Sequence, residues 1–131
     1  MRPAISFAFV LASLAACRRE AIHDDFCASD AVALSAAIEL YFRQVGSIPK
    51  ASEGLKALVE RPKDLDASAN WSQVMQKLPV DPWGNQFDYV PDLDARPQRF
   101  VIISRGSDAI PSRDDREYRF SIEFAELGHR E

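Results

Sequence analysis

Thirteen residues, Leu78 to Val90, constrain the fold of this chain more than any others: LPVDPWGNQFDYV. Pro79 stops whatever helix precedes it, and Pro82 fixes φ at the second position of a turn. Gly84 takes positive φ without steric cost, and the side chains of Asp81 and Asn85 are suited to bind the backbone groups that a tight turn leaves open. Trp83 supplies a large apolar wedge for a small core. The five residues Asp81, Pro82, Trp83, Gly84 and Asn85 therefore read as a structural motif that turns the chain sharply into a strand beginning with FDYV.

The elements on either side follow from their periods. In AVALSAAIELYFRQVG, Leu34, Ile38, Tyr41, Phe42 and Val45 recur at spacings of three and four, which is one apolar stripe on a helix. Ser29 or Asp30 is the expected N-cap and Gly46 the expected stop. After an extended turn at Pro49 comes a short helix, capped by Ser52 with Leu55, Leu58 and Val59 inward, which Pro62 ends. WSQVMQKLP reads as a helical turn or two with Trp71, Val74 and Leu78 on one side. FDYV, RFVIIS and EYRFSIEF are strands; in the last, Tyr118, Phe120, Ile122 and Phe124 alternate with polar residues, the period of a sheet with one buried face. VPDLDARPQ is the hairpin loop between the first two. The expected fold is α+β: one long N-terminal helix packed on a small antiparallel sheet of about three strands, with short extra helices. A chain of 131 residues holds one such domain.

The N-terminus has a different character. MRPAISFAFVLASLAAC joins a positive Arg2 to an apolar run, Ala4 to Ala16, which is shorter than the ~20 residues a membrane helix needs. That is the layout of a secretory signal with small residues before the cut. Leu14-Ala15-Ala16-Cys17 resembles the bacterial lipobox, which implies cleavage before Cys17 and lipidation of its thiol and amino group; the other reading is an ordinary signal peptide with an incidental Cys17. On the first reading residues 1–16 are a lipoprotein signal peptide, 17–29 a polar tether and 30–131 the domain. Several acyl chains anchor a protein where one does not. Arg18 in place of an aspartate after the lipidated cysteine points to the outer rather than the inner membrane. Cys27 is then left without an internal partner, either to pair between chains or to fill a small buried position.

The order of these features resembles the periplasmic domain of the major pseudopilin of type II secretion, over about Leu34 to Asp115. Tyr41 falls at the family's helix tyrosine. Gly46-Ser47-Ile48-Pro49 falls at its Gly-x-Tyr-Pro, with Ile for Tyr. Gly54-Leu55-Lys56-Ala57-Leu58 and Leu78-Pro79-Val80-Asp81-Pro82-Trp83-Gly84-Asn85 match outright. The resemblance implies a pseudopilin-like fold and a setting in protein secretion. A pseudopilin starts with a leader cut by prepilin peptidase, a glutamate and a long apolar helix at the filament axis. A lipobox and a polar tether stand there in this chain, which argues against filament polymerisation.

The family also implies Ca²⁺ in the loop after Ser-x-Gly-x-Asp. Here that loop is SRGSDAIPSRDDREY, offering Ser104, Asp108, Asp114 and Asp115 as ligands. Calcium takes 6–8 oxygens, so carboxylates and carbonyls of a loop that wraps on itself suit it. Ala109 stands where the family has Gly, and Arg105, Arg113 and Arg116 lie among the acids, so the alternative is a solvated loop of surface ion pairs.

The remaining function classes are constrained by what the chain carries. A formal charge of −4, and −5 once removal of residues 1–16 takes away Arg2, gives no footprint for nucleic acid. His23 and His129 share no helix face, no Cys/His cluster has metal spacing, and no nucleophile has a partnered base, so neither an enzyme nor a small-molecule substrate is expected. The expected role is a non-enzymatic accessory subunit of a secretion machine, with other secretion-system or envelope proteins as partners and the membrane reached through lipid. A free-standing envelope binding lipoprotein that reuses the fold is the alternative, favoured by the replaced N-terminus and the long last strand.

Overall fold

The computed structural model describes residues 6–122, with side chains from Asp25 onward. Helix α1 spans Ser6–Val45. A 3₁₀ turn follows at Gly54–Leu58, then strands β1 (Asp88–Asp92), β2 (Arg99–Ser104) and β3 (Arg116–Ser121), with a second 3₁₀ turn, Gly106–Asp108, between β2 and β3. The strands form one antiparallel sheet in the order β1-β2-β3.

The C-terminal half of α1 is helical for the reason its sequence suggests. Leu34, Ile38 and Tyr41 are buried, and Gly46 ends the helix at φ +89° with its N–H bonded to the Phe42 carbonyl at 2.7 Å. The expected start at Ser29 or Asp30 is corrected: α1 passes through both, and residues 17–29 are helical. No Gly or Pro interrupts residues 4–45, and Arg, Glu and Ala are good helix formers, so polarity alone does not break the helix. Cys27 and Ala31, both buried, carry the apolar stripe about two further turns towards the N-terminus.

The sheet meets α1 with one face. Phe100, Ile102 and Ile122 are buried there beside Leu34, Ile38 and Tyr41, with Tyr89, Tyr118 and Phe120 partly buried around them. Phe120 lies opposite Phe100 in register and stacks on it at 5.4 Å, while Tyr89 tilts against Phe100 at 6.0 Å. Aromatic pairs of this kind contribute beyond their buried area. Phe124 lies outside the described residues.

Two short helices of the sequence reading are altered. Ser52 makes no cap. The Gly54–Leu58 turn is 3₁₀, is flanked by Glu53 and has no side-chain cap, and the Glu53 carboxylate instead accepts the Lys50 N–H. WSQVMQKLP is not helical. The Leu58 carbonyl accepts the N–H groups of Val74 and Met75, and the Trp71 indole donates to the Ala57 carbonyl at 3.0 Å, so the segment is tied across to the 3₁₀ turn instead of to itself.

Candidate functional site: an acidic loop framed by a buried turn

At the Asp81–Asn85 turn Asp81 caps the backbone as expected, but the Asn85 side chain reaches the Gly106 carbonyl instead of the turn's own backbone, and Trp83 is half-buried under Arg116 and not a wedge in the core. The Gly84 N–H closes the turn on the Asp81 carbonyl at 2.9 Å, and Gly84 holds φ +81°. Asp81 is 2 % exposed, yet both its carboxyl oxygens are bonded: Oδ1 accepts the N–H groups of Trp83 (3.1 Å) and Asn85 (2.8 Å), and Oδ2 accepts the Ser104 hydroxyl at 2.8 Å. A buried polar group of this kind is tolerable because both its oxygens have hydrogen-bond partners. Ser104 is fully buried at the end of β2, and on its other side the Cys27 thiol donates to its oxygen at 3.8 Å. Of the two expectations for Cys27, the buried position is the one observed.

The acidic loop runs from Ser104 to Arg116. It brings together one ligand oxygen each from Asp108, Asp114 and Asp115, all within 4.8 Å of one another. The Ser112 hydroxyl bridges two of them, donating to Asp108 at 2.7 Å and contacting Asp114. That hydroxyl holds the Asp108 carboxyl below its ordinary value of 3.8, with the Ile110 N–H adding to the effect against desolvation. Arg105 reaches from the end of β2 to Asp88 of β1 at 2.7 Å and to Asp115, and both carboxylates raise the guanidinium's affinity for its proton. Asp115 Oδ1, on the far side of the same carboxylate, is buried without a hydrogen-bond partner. The Ser104 hydroxyl donates to Asp81 and its oxygen faces the Gly106 N–H at 3.4 Å.

The donor set fits a hard divalent cation. Oxygens on opposite sides of a calcium ion lie about 4.6–5.2 Å apart, twice the Ca–O distance, and the carboxylates already sit inside that span. The Asp115 Oδ1 oxygen is a free acceptor beside the Arg105-bound one. The loop is an exposed acidic triad able to hold an ion.

Two residues shape the loop backbone. A Cβ on Gly106, which holds φ +73°, would come 2.8 Å from Asp114 Oδ2, so a side chain there would push on the triad. Ala109 takes φ 58°, the left-handed region, where the resemblance led one to expect glycine. The arginines were legible as neutralising charges, but not which acid each would meet. Arg105 bridges two strands' ends, whereas Arg116 donates to the Asp114 carbonyl at 3.0 Å and places its guanidinium 4.8 Å from the Trp83 ring centroid. The link from Asn85 Nδ2 to the Gly106 carbonyl, at 3.1 Å, had no signal in the sequence.

Among the described residues no helix is long and apolar enough to cross a membrane. Cys17 and His23 lie on α1 with side chains outside the described set, and His129 lies beyond the described residues.

Comparison with known proteins gives one consistent answer. The family model described as type II secretion system (T2SS), protein G, matches residues 19–121. The chain is 33 % identical to the type II secretion system core protein G of Pseudomonas aeruginosa over 90 residues, covering 67 % of this chain and 62 % of that protein. It is 34 % identical to the protein of the same description from Escherichia coli K12, over 66 % of this chain and 60 % of that one. The matched stretch thus spans about six-tenths of these relatives' length. The crystal structure of the major pseudopilin from the type 2 secretion system of enterohaemorrhagic Escherichia coli superposes with a TM-score of 0.66 at 28 % identity, covering 79 % of this chain and 91 % of that one. A long helix on a three-stranded sheet, the Asp81–Asn85 turn and a family match over most of the chain lead to one conclusion: this protein belongs to the type II secretion system protein G family of pseudopilins.

Proposed function

We propose that this protein is a non-enzymatic structural or accessory subunit of a type II secretion machine, exported to the periplasmic face of a bacterial membrane and held there by lipid on Cys17. The family match over residues 19–121 carries the secretion role. The lipid anchor rests on the sequence Leu14-Ala15-Ala16-Cys17 behind an apolar run, with residues 1–16 removed. Arg18 favours the outer membrane. The domain then stands clear of the membrane and docks on other secretion-system proteins. Calcium is the cation proposed for the acidic loop: Asp108, Asp114 and Asp115 would hold it, and the ion would lock together three like charges that otherwise repel. The buried hydroxyl of Ser104, a ligand on the sequence reading, supports the loop from behind.

Intact mass and membrane fractionation of the chain and of Cys17→Ala, expressed in a bacterium with a type II system, test the anchor. A lipid-sized mass gain and membrane association, both lost in the variant, are expected. A product cut elsewhere without lipid overturns the anchor. Crosslinking the same membranes tests the role: type II components identified by mass spectrometry are expected, and their absence overturns it.

A further inference from the structure

The Asp81–Asn85 turn and the acidic loop are far apart in sequence, yet both ends of the loop rest on the turn. At the leading end, Asn85 Nδ2 donates to the Gly106 carbonyl at 3.1 Å, and Asp81 Oδ2 accepts the Ser104 hydroxyl, whose oxygen faces the Gly106 N–H at 3.4 Å. At the trailing end, the Arg116 guanidinium sits over the Trp83 ring and donates to the Asp114 carbonyl. Between these ends residues 107–114 are exposed, so burial does not order them. Arg105 ties Asp115 to Asp88 of β1, whereas Asp108 and Asp114 are joined only to each other by the Ser112 hydroxyl, which does not fix that pair relative to the sheet. Three carboxylates gathered within 4.8 Å repel one another, and without a frame the loop would open to separate them.

We propose that the turn is the positioning element of the cation loop: Asn85 fixes Gly106, and through it the close approach of Gly106 to Asp114, while Trp83 fixes Arg116 and the carbonyl of Asp114. Asn85 and Trp83 are positioning residues that touch no ion. The turn therefore does more than redirect the chain into β1; it sets the separation of the carboxylates before a cation arrives, and cation binding in return stabilises the turn. The calcium half of this inference rests on the reading of the loop given above, whereas the ordering of the loop does not.

The experiment uses the full chain with Asn85→Ala, Trp83→Leu and a control, Gln98→Ala. Gln98 bonds the Ile48 N–H and the Leu93 carbonyl at the opposite end of the β1–β2 hairpin, so its loss lowers stability without touching the loop. Two quantities are measured: amide hydrogen–deuterium exchange without calcium, and calcium affinity by titration calorimetry. Both turn variants are expected to speed exchange across Gly106–Asp115 and to weaken calcium binding by about 2- to 10-fold, the loss of one net hydrogen bond or one cation–π contact. The control is expected to leave both unchanged. Wild-type loop exchange and affinity in the turn variants overturn the proposal. If the wild type binds no calcium while Asn85→Ala still loosens the loop, the calcium reading falls and the positioning role stands. Asn85→Ala removes a single hydrogen bond and keeps the backbone contacts of the turn, so it decides the matter even if Trp83→Leu fails to fold.

Discussion

Ala109 holds a left-handed conformation that residues with a Cβ rarely adopt. At φ 58° its Cβ crowds the following carbonyl, a cost glycine does not bear. Ala109→Gly is therefore expected to stabilise the domain by about 0.5–1 kcal/mol, after the extra freedom that glycine gives the unfolded chain is set against the relief. Urea denaturation in chelator checks it: a lower midpoint would mean that the left-handed turn is held by something other than local sterics. Asp81 shows the opposite relation between sequence and environment. An aspartate in a turn was readable as a backbone cap, and it is one, but its second oxygen receives the Ser104 hydroxyl from the end of β2. The first contact is set by residues within four positions; the second requires the folded sheet.

At the scale of elements, α1 supplies one wall of the core. Its buried stripe, Cys27, Ala31, Leu34, Ile38 and Tyr41, lies against β2 and β3 and the Gly54–Leu58 turn. Leu34 is fully buried at the centre of that stripe, and Leu34→Ala is expected to cost about 2–5 kcal/mol, the lost transfer energy plus the cavity left behind. Equilibrium unfolding measures this; a cost under about 1 kcal/mol would show that the helix and sheet close up around the gap. The elements also show why local pattern succeeds in one place and fails in another. Leu34 to Val45 and Trp71 to Leu78 have the same spacing of apolar residues, yet only the first is helical. In the second, Val74 and Met75 give their N–H groups to Leu58, a partner that no window of neighbouring residues contains. Conversely, residues 17–29 look like a tether because they are polar, but nothing in them terminates a helix already under way.

For the molecule as a whole, the junction of helix, connection and sheet is marked by two tyrosines. Tyr41 of α1 donates to Glu53 at 3.4 Å, and Tyr89 of β1 donates to the Pro49 carbonyl at 2.7 Å. Burial, then the charge and hydrogen bond of Glu53, push Tyr41 up to about 12, and burial pushes Tyr89 higher still than an ordinary tyrosine. A raised pKa means that the folded state keeps a proton the unfolded chain releases, so this stabilisation is complete below pH 10 and is lost as pH rises from 10 to about 12. Urea midpoints followed across that window, with tyrosinate absorbance, are expected to fall together with tyrosine ionisation; ionisation at the ordinary value of 10.0 without loss of stability would contradict it. The sequence by itself determined the long helix from Leu34 to Gly46, three strands, the Asp81–Asn85 turn and the family, because apolar period, proline and glycine act through bonds and contacts a few residues long. Only the tertiary structure decided the full length of α1, the extended path of the Trp71 segment, the bond of the Ser104 hydroxyl to Asp81, and the seating of the loop on the turn. Each of these depends on which distant donor meets which acceptor, and that pairing is settled when burial removes water as the competing partner.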